Sequence, residues 1–262
     1  MRRGLAALAA AVLLQPARAL PQEDVPYVQT PDNVTLAMLE LARVGPLDYV
    51  IDLGSGDGRI VVLAAKRFGA RGLGVEIVPK LVEESRANAR RAGVADRAEF
   101  REQDLFKTDL APATVITMYL LPEVNLQLRD PILALKPGTR IVSHDWDMGS
   151  WKPDRTVTLA APDKRIGLEK ASRVHYWVVP ARVAGAWCAG ARRLVIEQEF
   201  QNVRVNGHEG RVEGSMVVVA AGLTLEAEAS QLRVRSAEGP FAALLSATLG
   251  RCVPGATGRS KP

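Results

Sequence analysis

Three acidic residues stand where they could bind the same small ligand. Asp52, Glu76 and Asp104 each come at or just after the end of a short apolar stretch that is typical of a β-strand. A glycine-rich turn, residues 54–58, follows the first acid and leads into a predicted helix. Glycines let the backbone pass close to a ligand, and the first turn of a helix offers free N–H groups. This combination predicts a site for a nucleotide-like molecule.

The spacing of the glycines narrows the choice of ligand. Asp52, Gly54, Gly56 and Gly58 give the pattern D-x-G-x-G-x-G, and Arg59 stands where the dinucleotide fingerprint G-x-G-x-x-G has its third glycine. No Lys-Ser/Thr pair follows, which excludes a Walker loop. An acid at the end of the strand also disfavours a pyrophosphate, because like charges repel. The pattern resembles the cofactor loop of class I S-adenosylmethionine-dependent methyltransferases, whose ligand carries no phosphate.

This resemblance implies S-adenosylmethionine as cofactor and assigns its contacts residue by residue. Glu76 comes 24 positions after Asp52 and would hydrogen-bond the ribose hydroxyls, as acids near this offset do in dinucleotide folds. Asp104 would face the adenine amino group, and Asp52 would lie near the methionine end. The implied cofactor positions are Asp52, Gly54, Ser55, Gly56, Glu76, Asp104 and Leu105.

A second set of runs resembles a narrower group within the family. The run after the fourth predicted strand is Tyr119-Leu120-Leu121-Pro122, where many amino-methylating enzymes of nucleic acids carry Asn/Asp-Pro-Pro-Tyr/Phe. This run resembles the mitochondrial lysine methyltransferases of ATP synthase subunit c and of the adenine nucleotide translocase, and their bacterial relatives. The extended glycine loop and the runs Pro26-Tyr27-Val28 and Ser143-His144-Asp145 share this likeness. The likeness covers about residues 25–154. The chain departs from this group at two places. Gln29 stands where the group is expected to have proline, and the β-rich C-terminal part is not expected in the mitochondrial enzymes.

The narrower resemblance implies in-line transfer of a methyl group to the neutral amine of a protein lysine. Burial would lower the pKa of that lysine, and a nearby side chain could take its proton. The candidates for this catalytic work are Tyr119, His144 and Asp145, and those for substrate contact are Tyr27, Leu121 and Pro122. Each catalytic candidate also has a structural interpretation, as an aromatic residue at the sheet end or as part of a capping turn.

Two other functions stay open from the sequence. The chain could methylate a small molecule, with the β-rich tail closing the pocket, or it could bind a cofactor-like ligand without catalysis. Nucleic acid is not an expected partner, because no basic run with interleaved aromatic residues occurs. The oligomeric state is not predicted.

Alternating strands and helices over residues 20–180 predict a Rossmann-like, doubly wound seven-stranded sheet for the methyltransferase domain. Its first helix is expected after Thr30 as N-cap, with Pro31 in the first turn, and a short helix is expected at about residues 124–128. Residues 181–254 show period-2 alternation between turn signals, which predicts a small antiparallel β domain. Residues 255–262 are expected to be disordered.

The N-terminus has the pattern of a signal peptide over residues 1–19. Arg2 and Arg3 precede an apolar run of ten residues, and Ala17-Arg18-Ala19 gives a small-x-small cleavage signature. The run is too short to span a bilayer, so we expect export, to a periplasm. An uncleaved membrane anchor or a mitochondrial-type presequence is the alternative. Removal of this segment would lower the net charge from +5 to +2.

Cys188 and Cys252 are the only two cysteines of the chain. Their spacing suits no metal site, so no metal is expected. In an oxidising compartment they could pair; two buried free thiols are the equal alternative.

Overall fold

The computed structural model describes residues 27–165 and 169–252. The predicted signal peptide, residues 1–19, and the predicted disordered tail, residues 255–262, lie outside the described residues. None of the described helices is both long and apolar enough to cross a lipid bilayer.

The predicted seven-stranded Rossmann-like sheet is confirmed. Its strands are β1 (Tyr49–Leu53), β2 (Arg71–Glu76), β3 (Ala98–Glu102), β4 (Val115–Met118), β5 (Arg140–His144), β6 (Arg155–Ala160) and β7 (Ala171–Val178). They lie in the order β3-β2-β1-β4-β5-β7-β6; β1 to β5 are parallel, and β7 is antiparallel to both neighbours. The strand order reverses between β1 and β4, and ligands bind at the carboxyl edge of such a switch point.

Helices cover both faces of the sheet. The helices are α1 (Asp32–Leu41), α2 (Arg59–Phe68), α3 (Pro79–Ala92) and α4 (Pro122–Leu133). Successive side chains of β1 point to opposite faces of the sheet. Val50 packs with α1 and α2 on one face, and Ile51 packs with α4 on the other. Strands that are buried on both faces need continuous apolar runs, as the sequence of β1 provides.

Two local predictions about helices were wrong. Thr30 does not cap α1, which begins one residue later than expected; its buried hydroxyl lies 3.3 Å from the His144 Nδ1 instead. The helix expected at residues 124–128 is longer, because α4 continues through Pro131 to Leu133. Burial of Leu128 and Ile132 against the sheet stabilises that last turn, although proline removes one backbone hydrogen bond there.

The predicted antiparallel β region forms a closed eight-stranded barrel. Its strands are β8 (Gly185–Ala189), β9 (Arg192–Glu199), β10 (Asn202–Val205), β11 (His208–Glu213), β12 (Met216–Val219), β13 (Leu223–Glu228), β14 (Gln231–Ala237) and β15 (Thr248–Arg251). Consecutive strands pair, and β15 pairs with β8 to close the barrel. Leu194, Ile196, Leu223 and Leu225 fill the interior, as their alternation indicated.

A disulfide joins Cys188 to Cys252. It lies at the seam of the barrel, where β8 and β15 share two residue pairs in the described part of the chain and the Cys252 N–H donates to the Ala186 carbonyl at 3.1 Å. The sequence left open whether the two cysteines pair. In the structure they do, and the disulfide reinforces the contact between β8 and β15.

Candidate active site

The glycine-rich turn after β1 is a tight backbone cradle. Gly54 and Gly56 have φ values of +72° and +53°, which L-residues with side chains rarely adopt. A Cβ atom at Gly56 would lie 2.2 Å from the Tyr27 Cε2, and one at Gly54 would lie 2.8 Å from the Leu120 Cδ2. The backbone N–H groups of Gly54 and Ser55 both donate to the Val75 carbonyl, so the turn is tied to β2.

Asp52 is a buried carboxyl group at the end of β1. It is 2% exposed, and the Thr117 hydroxyl donates to its Oδ1 at 2.7 Å. Burial raises the pKa of Asp52 to about 7 despite this hydrogen bond, and the charges of Asp57 and Glu76 act in the same direction. A cationic ligand group would offset the burial of this charge.

Glu76, at the end of β2, binds backbone rather than solvent. Its Oε2 accepts from the Gly56 N–H at 3.0 Å, and its Oε1 accepts from the N–H groups of Ile77 and Val78. Glu76 therefore links the glycine turn to the loop after β2. Its expected contact with a ribose remains a prediction.

Asp104 and Leu105 lie at the neighbouring strand end. Asp104 Oδ1 accepts from the Phe106 N–H at 2.9 Å and so caps the 3₁₀ turn of residues 105–107. Phe106 and Ile77 are each about half exposed at this edge of the sheet. Exposed apolar side chains beside an acid suit a flat, polar-edged ring such as adenine.

The sequence interpretation missed the role of Asp57 and Arg59. The Arg59 guanidinium binds the Asp57 carboxylate at 2.7 Å and donates to the Thr30 carbonyl at 2.8 Å, while the Tyr27 hydroxyl accepts from the Asp57 N–H at 3.2 Å. Burial alone would raise the pKa of Asp57, but Arg59 holds it below its usual value. The pair thus fixes residues 27–30 over the glycine turn. Its sequence signal was the Asp-x-Arg spacing at the start of α2.

The three catalytic candidates come together beyond β4 and β5. The Tyr119 ring packs against the His144 ring, with 3.9 Å between ring centroids and 31° between the planes, and its hydroxyl lies 3.5 Å from the Asp145 Oδ2. Lys164 binds the same Oδ2 at 2.8 Å. Of the three, Tyr119 also lines the cleft that contains Asp52, Gly54 and Ser55.

The three candidates differ in what they can do chemically. His144 is fully buried, its Nε2 lies 2.8 Å from the Ser172 hydroxyl, and burial lowers its pKa to about 4. Burial opposes ionisation of Asp145, yet the hydrogen bonds from Lys164 and from the Arg173 N–H hold its pKa below the usual range. Burial, followed by the charge of Asp145, raises the pKa of Tyr119 to about 12. Only Tyr119 therefore presents a neutral, accessible polar group.

Of the substrate candidates, Tyr27 lines the cleft, whereas Leu121 and Pro122 lie at the start of α4, two residues or more beyond Tyr119. Leu121 is the N-cap residue of α4 and is 48% exposed, and Pro122 is the first residue of that helix. Trp146, which the sequence interpretation did not select, is 46% exposed in the loop after β5. The buried Asn125 holds this loop against α4, because its Nδ2 donates to the Trp146 carbonyl at 3.1 Å. An apolar rim thus follows β4 and β5.

The residues around the glycine turn fit S-adenosylmethionine. Asp52 provides a buried carboxyl group that an ammonium group would satisfy, as in the methionine part of this cofactor. Ser55 Oγ is buried and has no hydrogen-bond partner among the described residues, so it can serve a polar ligand group. Within the described ranges, no cluster of three or more acidic, His or Cys residues could hold a metal ion.

The fold and the site together define a class I S-adenosylmethionine-dependent methyltransferase. Residues 52–155 match the model of a family described as the ANTKMT methyltransferase domain. The chain belongs to this family, and the matched residues end before the barrel.

Two similar proteins are named as lysine methyltransferases. The chain is 44% identical over 135 residues to the protein-lysine N-methyltransferase of Saccharolobus islandicus, covering 51% of this chain and 84% of that protein. It is 39% identical over 151 residues to the adenine nucleotide translocase lysine N-methyltransferase of Mus musculus, covering 56% of this chain and 65% of that protein. The chain thus spans slightly less than two thirds of the mouse enzyme.

A solved structure from Salinibacter ruber is also similar. It is described as an RNA methyltransferase in complex with S-adenosyl-L-homocysteine, and it is 52% identical with a TM-score of 0.54. The match covers 60% of this chain and 96% of that one. A relative of this identity that binds the demethylated product supports the cofactor assignment.

Proposed function

We propose that the chain is a protein-lysine N-methyltransferase. The observation that carries this proposal is the position of Tyr119, a neutral hydroxyl at the mouth of the cleft that contains Asp52. The names of the Saccharolobus islandicus and mouse relatives, which both specify lysine N-methylation of a protein, favour the same acceptor.

In this proposal, the main work of the site residues is to bind the cofactor and to orient the acceptor amine, and proton transfer is secondary. When bound, S-adenosylmethionine supplies a methyl group that its sulfonium centre activates. Tyr119 Oη accepts a hydrogen bond from the acceptor amine and directs the nitrogen lone pair toward the methyl group. Alignment of this kind contributes several kcal/mol to catalysis. The apolar rim of Leu121 and Trp146 excludes water and lowers the pKa of the incoming lysine.

Asp145 and His144 act through Tyr119 in this scheme. Asp145 is already paired with Lys164 and has a low pKa, so it is a weak base and instead accepts from the Tyr119 hydroxyl. His144 is fully buried and supports the Tyr119 ring by packing against it. We therefore assign both residues to positioning rather than to proton transfer.

Labelled methyl transfer tests the proposal. The purified protein is incubated with S-adenosylmethionine that carries a labelled methyl group and with protein, RNA and small-molecule fractions of its source organism. We expect the label in the protein fraction, sensitive to protease and resistant to ribonuclease. Label in RNA would contradict the proposal and would agree with the RNA methyltransferase activity named for the Salinibacter ruber relative; label in small molecules would favour the second enzyme hypothesis.

We further propose that the enzyme works in an oxidising compartment outside the cytoplasm. The disulfide between Cys188 and Cys252 supports this location, as does the signal-peptide pattern of the sequence. A reporter fused after residue 21 should be exported. A reporter that stays in the cytoplasm would contradict the proposal.

A further inference from the structure

The loop that follows β5 has two halves with different supports. We call residues 145–154 the acceptor loop, because it begins with Asp145, 3.5 Å from the Tyr119 hydroxyl, and with the half-exposed Trp146. Its first half is held by the methyltransferase unit. The Ser143 hydroxyl donates to the Trp146 carbonyl at 2.6 Å, and Asn125 donates to the same carbonyl.

The second half of the acceptor loop is held by the barrel as well as by the sheet. On the sheet side, the Trp177 indole N–H donates to the Trp151 carbonyl at 2.9 Å, and the Val178 N–H donates to the Asp154 Oδ2 at 2.7 Å. Phe200 stacks on the fully buried Trp151, with 6.3 Å between ring centroids and 17° between the planes. Gln201, which is 3% exposed, donates from Nε2 to the Lys152 carbonyl at 2.7 Å. Arg211 forms an ion pair with Asp154. Three successive parts of the loop therefore each have a barrel partner.

The turn between β9 and β10 is shaped for this contact. Phe200 has a φ of +52°, a left-handed conformation that is rare for a bulky residue. Its side chain packs with the core of the sheet unit rather than with the barrel core. Backbone conformations of this kind persist only where the surrounding contacts hold them in place. Gln201 follows directly in the sequence, so a single turn supplies both the stacking and the hydrogen bond.

We infer that the barrel positions the acceptor loop and thereby sets the affinity for the methyl acceptor. The cofactor residues are separate from this support, since no hydrogen bond or ion pair joins the barrel to Asp52, Glu76 or Asp104 in the described part of the chain. The inference rests on the proposed function in one respect, the assignment of this loop to the acceptor side. Gln201 and Arg211 are positioning residues in this account.

Hydrogen exchange on the full chain tests the support without any acceptor. Gln201→Ala and Arg211→Gln each remove one contact, and Arg233→Gln is the matched control, because its exposed ion pair with Glu228 lies within the barrel. Loss of a hydrogen bond of about 1 kcal/mol should speed amide exchange in residues 145–154 about fivefold. The control should leave it unchanged. Unchanged exchange in both variants would overturn the inference.

Kinetics tests the consequence for the acceptor. In Gln201→Ala and Arg211→Gln we expect the acceptor KM to rise about fivefold for the same loss, with kcat and S-adenosylhomocysteine affinity within twofold of wild type. Arg211→Lys, which keeps the charge, should restore most of the KM. Faster loop exchange with an unchanged KM would overturn the acceptor role, and a parallel loss of cofactor affinity would indicate general destabilisation instead. Failure to find a protein acceptor would refute the proposed function but leave the exchange result standing.

Discussion

Replacement of Asp52 by asparagine should stabilise the ligand-free protein while weakening cofactor binding. Asp52 is 2% exposed and has the Thr117 hydroxyl as its hydrogen-bond donor. Asparagine has nearly the same shape, and its Oδ1 can accept the same hydrogen bond. The substitution therefore removes the buried charge with little change in packing.

The expected size follows from the pKa. Raising the pKa of a buried carboxyl group from 3.8 to about 7 corresponds to roughly 4 kcal/mol. We expect about half of this, roughly 2 kcal/mol, because the side chain lines a cleft and the new amide N–H groups need partners. The melting temperature at pH 8 should then rise by about 5 °C for a protein of this size.

The stability difference between Asp52→Asn and the wild type depends on pH. Folded Asp52 holds its proton more tightly than the unfolded chain does, so the free energy of unfolding of the wild type falls as pH rises from about 4 to about 7. The advantage of Asp52→Asn should be absent below pH 4, grow through this window and stay constant above it. Denaturant unfolding at several pH values measures this difference, with Glu84→Gln, an exposed acid on α3, as the control.

Binding of S-adenosylhomocysteine should change in the opposite direction. Loss of a charge-assisted contact with the ligand ammonium group should lower the affinity about 10- to 100-fold at pH 8, as calorimetry would measure. A variant that is less stable than wild type at pH 8, or that binds the ligand equally well, would refute the assignment of Asp52 as a buried charge held for the cofactor.

Three further predictions concern the turn, the acceptor side and the barrel. Gly56→Ala, which places a Cβ 2.2 Å from the Tyr27 ring, should lower cofactor affinity at least tenfold; Gly93→Ala, with a similar positive φ but open space around its Cβ, should keep wild-type affinity in the same binding assay. Tyr119→Phe should reduce kcat about tenfold by loss of one orienting hydrogen bond with unchanged cofactor affinity, and an unchanged kcat would exclude the proposed role. Reduction of the disulfide, which spans 64 residues, should lower the stability of the barrel by roughly 4 kcal/mol; a denaturation midpoint that is unaffected by dithiothreitol would contradict this.

Much of the sheet unit could be predicted because its signals are local. The apolar run before Asp52 and the glycines after it defined β1, its turn and the start of α2 at Arg59. The glycine at position 93 likewise marked the end of α3, where it adopts a φ of +70°. Such signals act within a few residues, so they can be recognised from the sequence alone.

Contacts between distant segments were not predictable in the same way. Thr30 looked like a helix cap, but its hydroxyl lies beside His144, 114 positions away in the chain. The closure of the barrel depends on two pairs between β8 and β15, which alternation alone does not specify. Phe200 follows β9 at the same two-residue spacing as Leu194 and Ile196, yet it packs on Trp151 instead of in the barrel interior.

The site shows the same division. Asp52, Glu76 and Asp104 could be placed at one edge because carboxyl ends of parallel strands meet there. The chemistry of Tyr119, His144 and Asp145 could not be ranked, because it depends on burial and on Lys164, whose contact with Asp145 arises only in the folded chain.

The most direct test of the proposed function is the chemical identity of the methylated residue. The labelled protein from the transfer assay is hydrolysed in acid, and the amino acids are separated. We expect the label to elute with Nε-methylated lysine, and the yield to fall about tenfold with Tyr119→Phe. Label in any other amino acid would contradict the proposed function, and an equal yield of labelled lysine from the variant would contradict the role assigned to Tyr119.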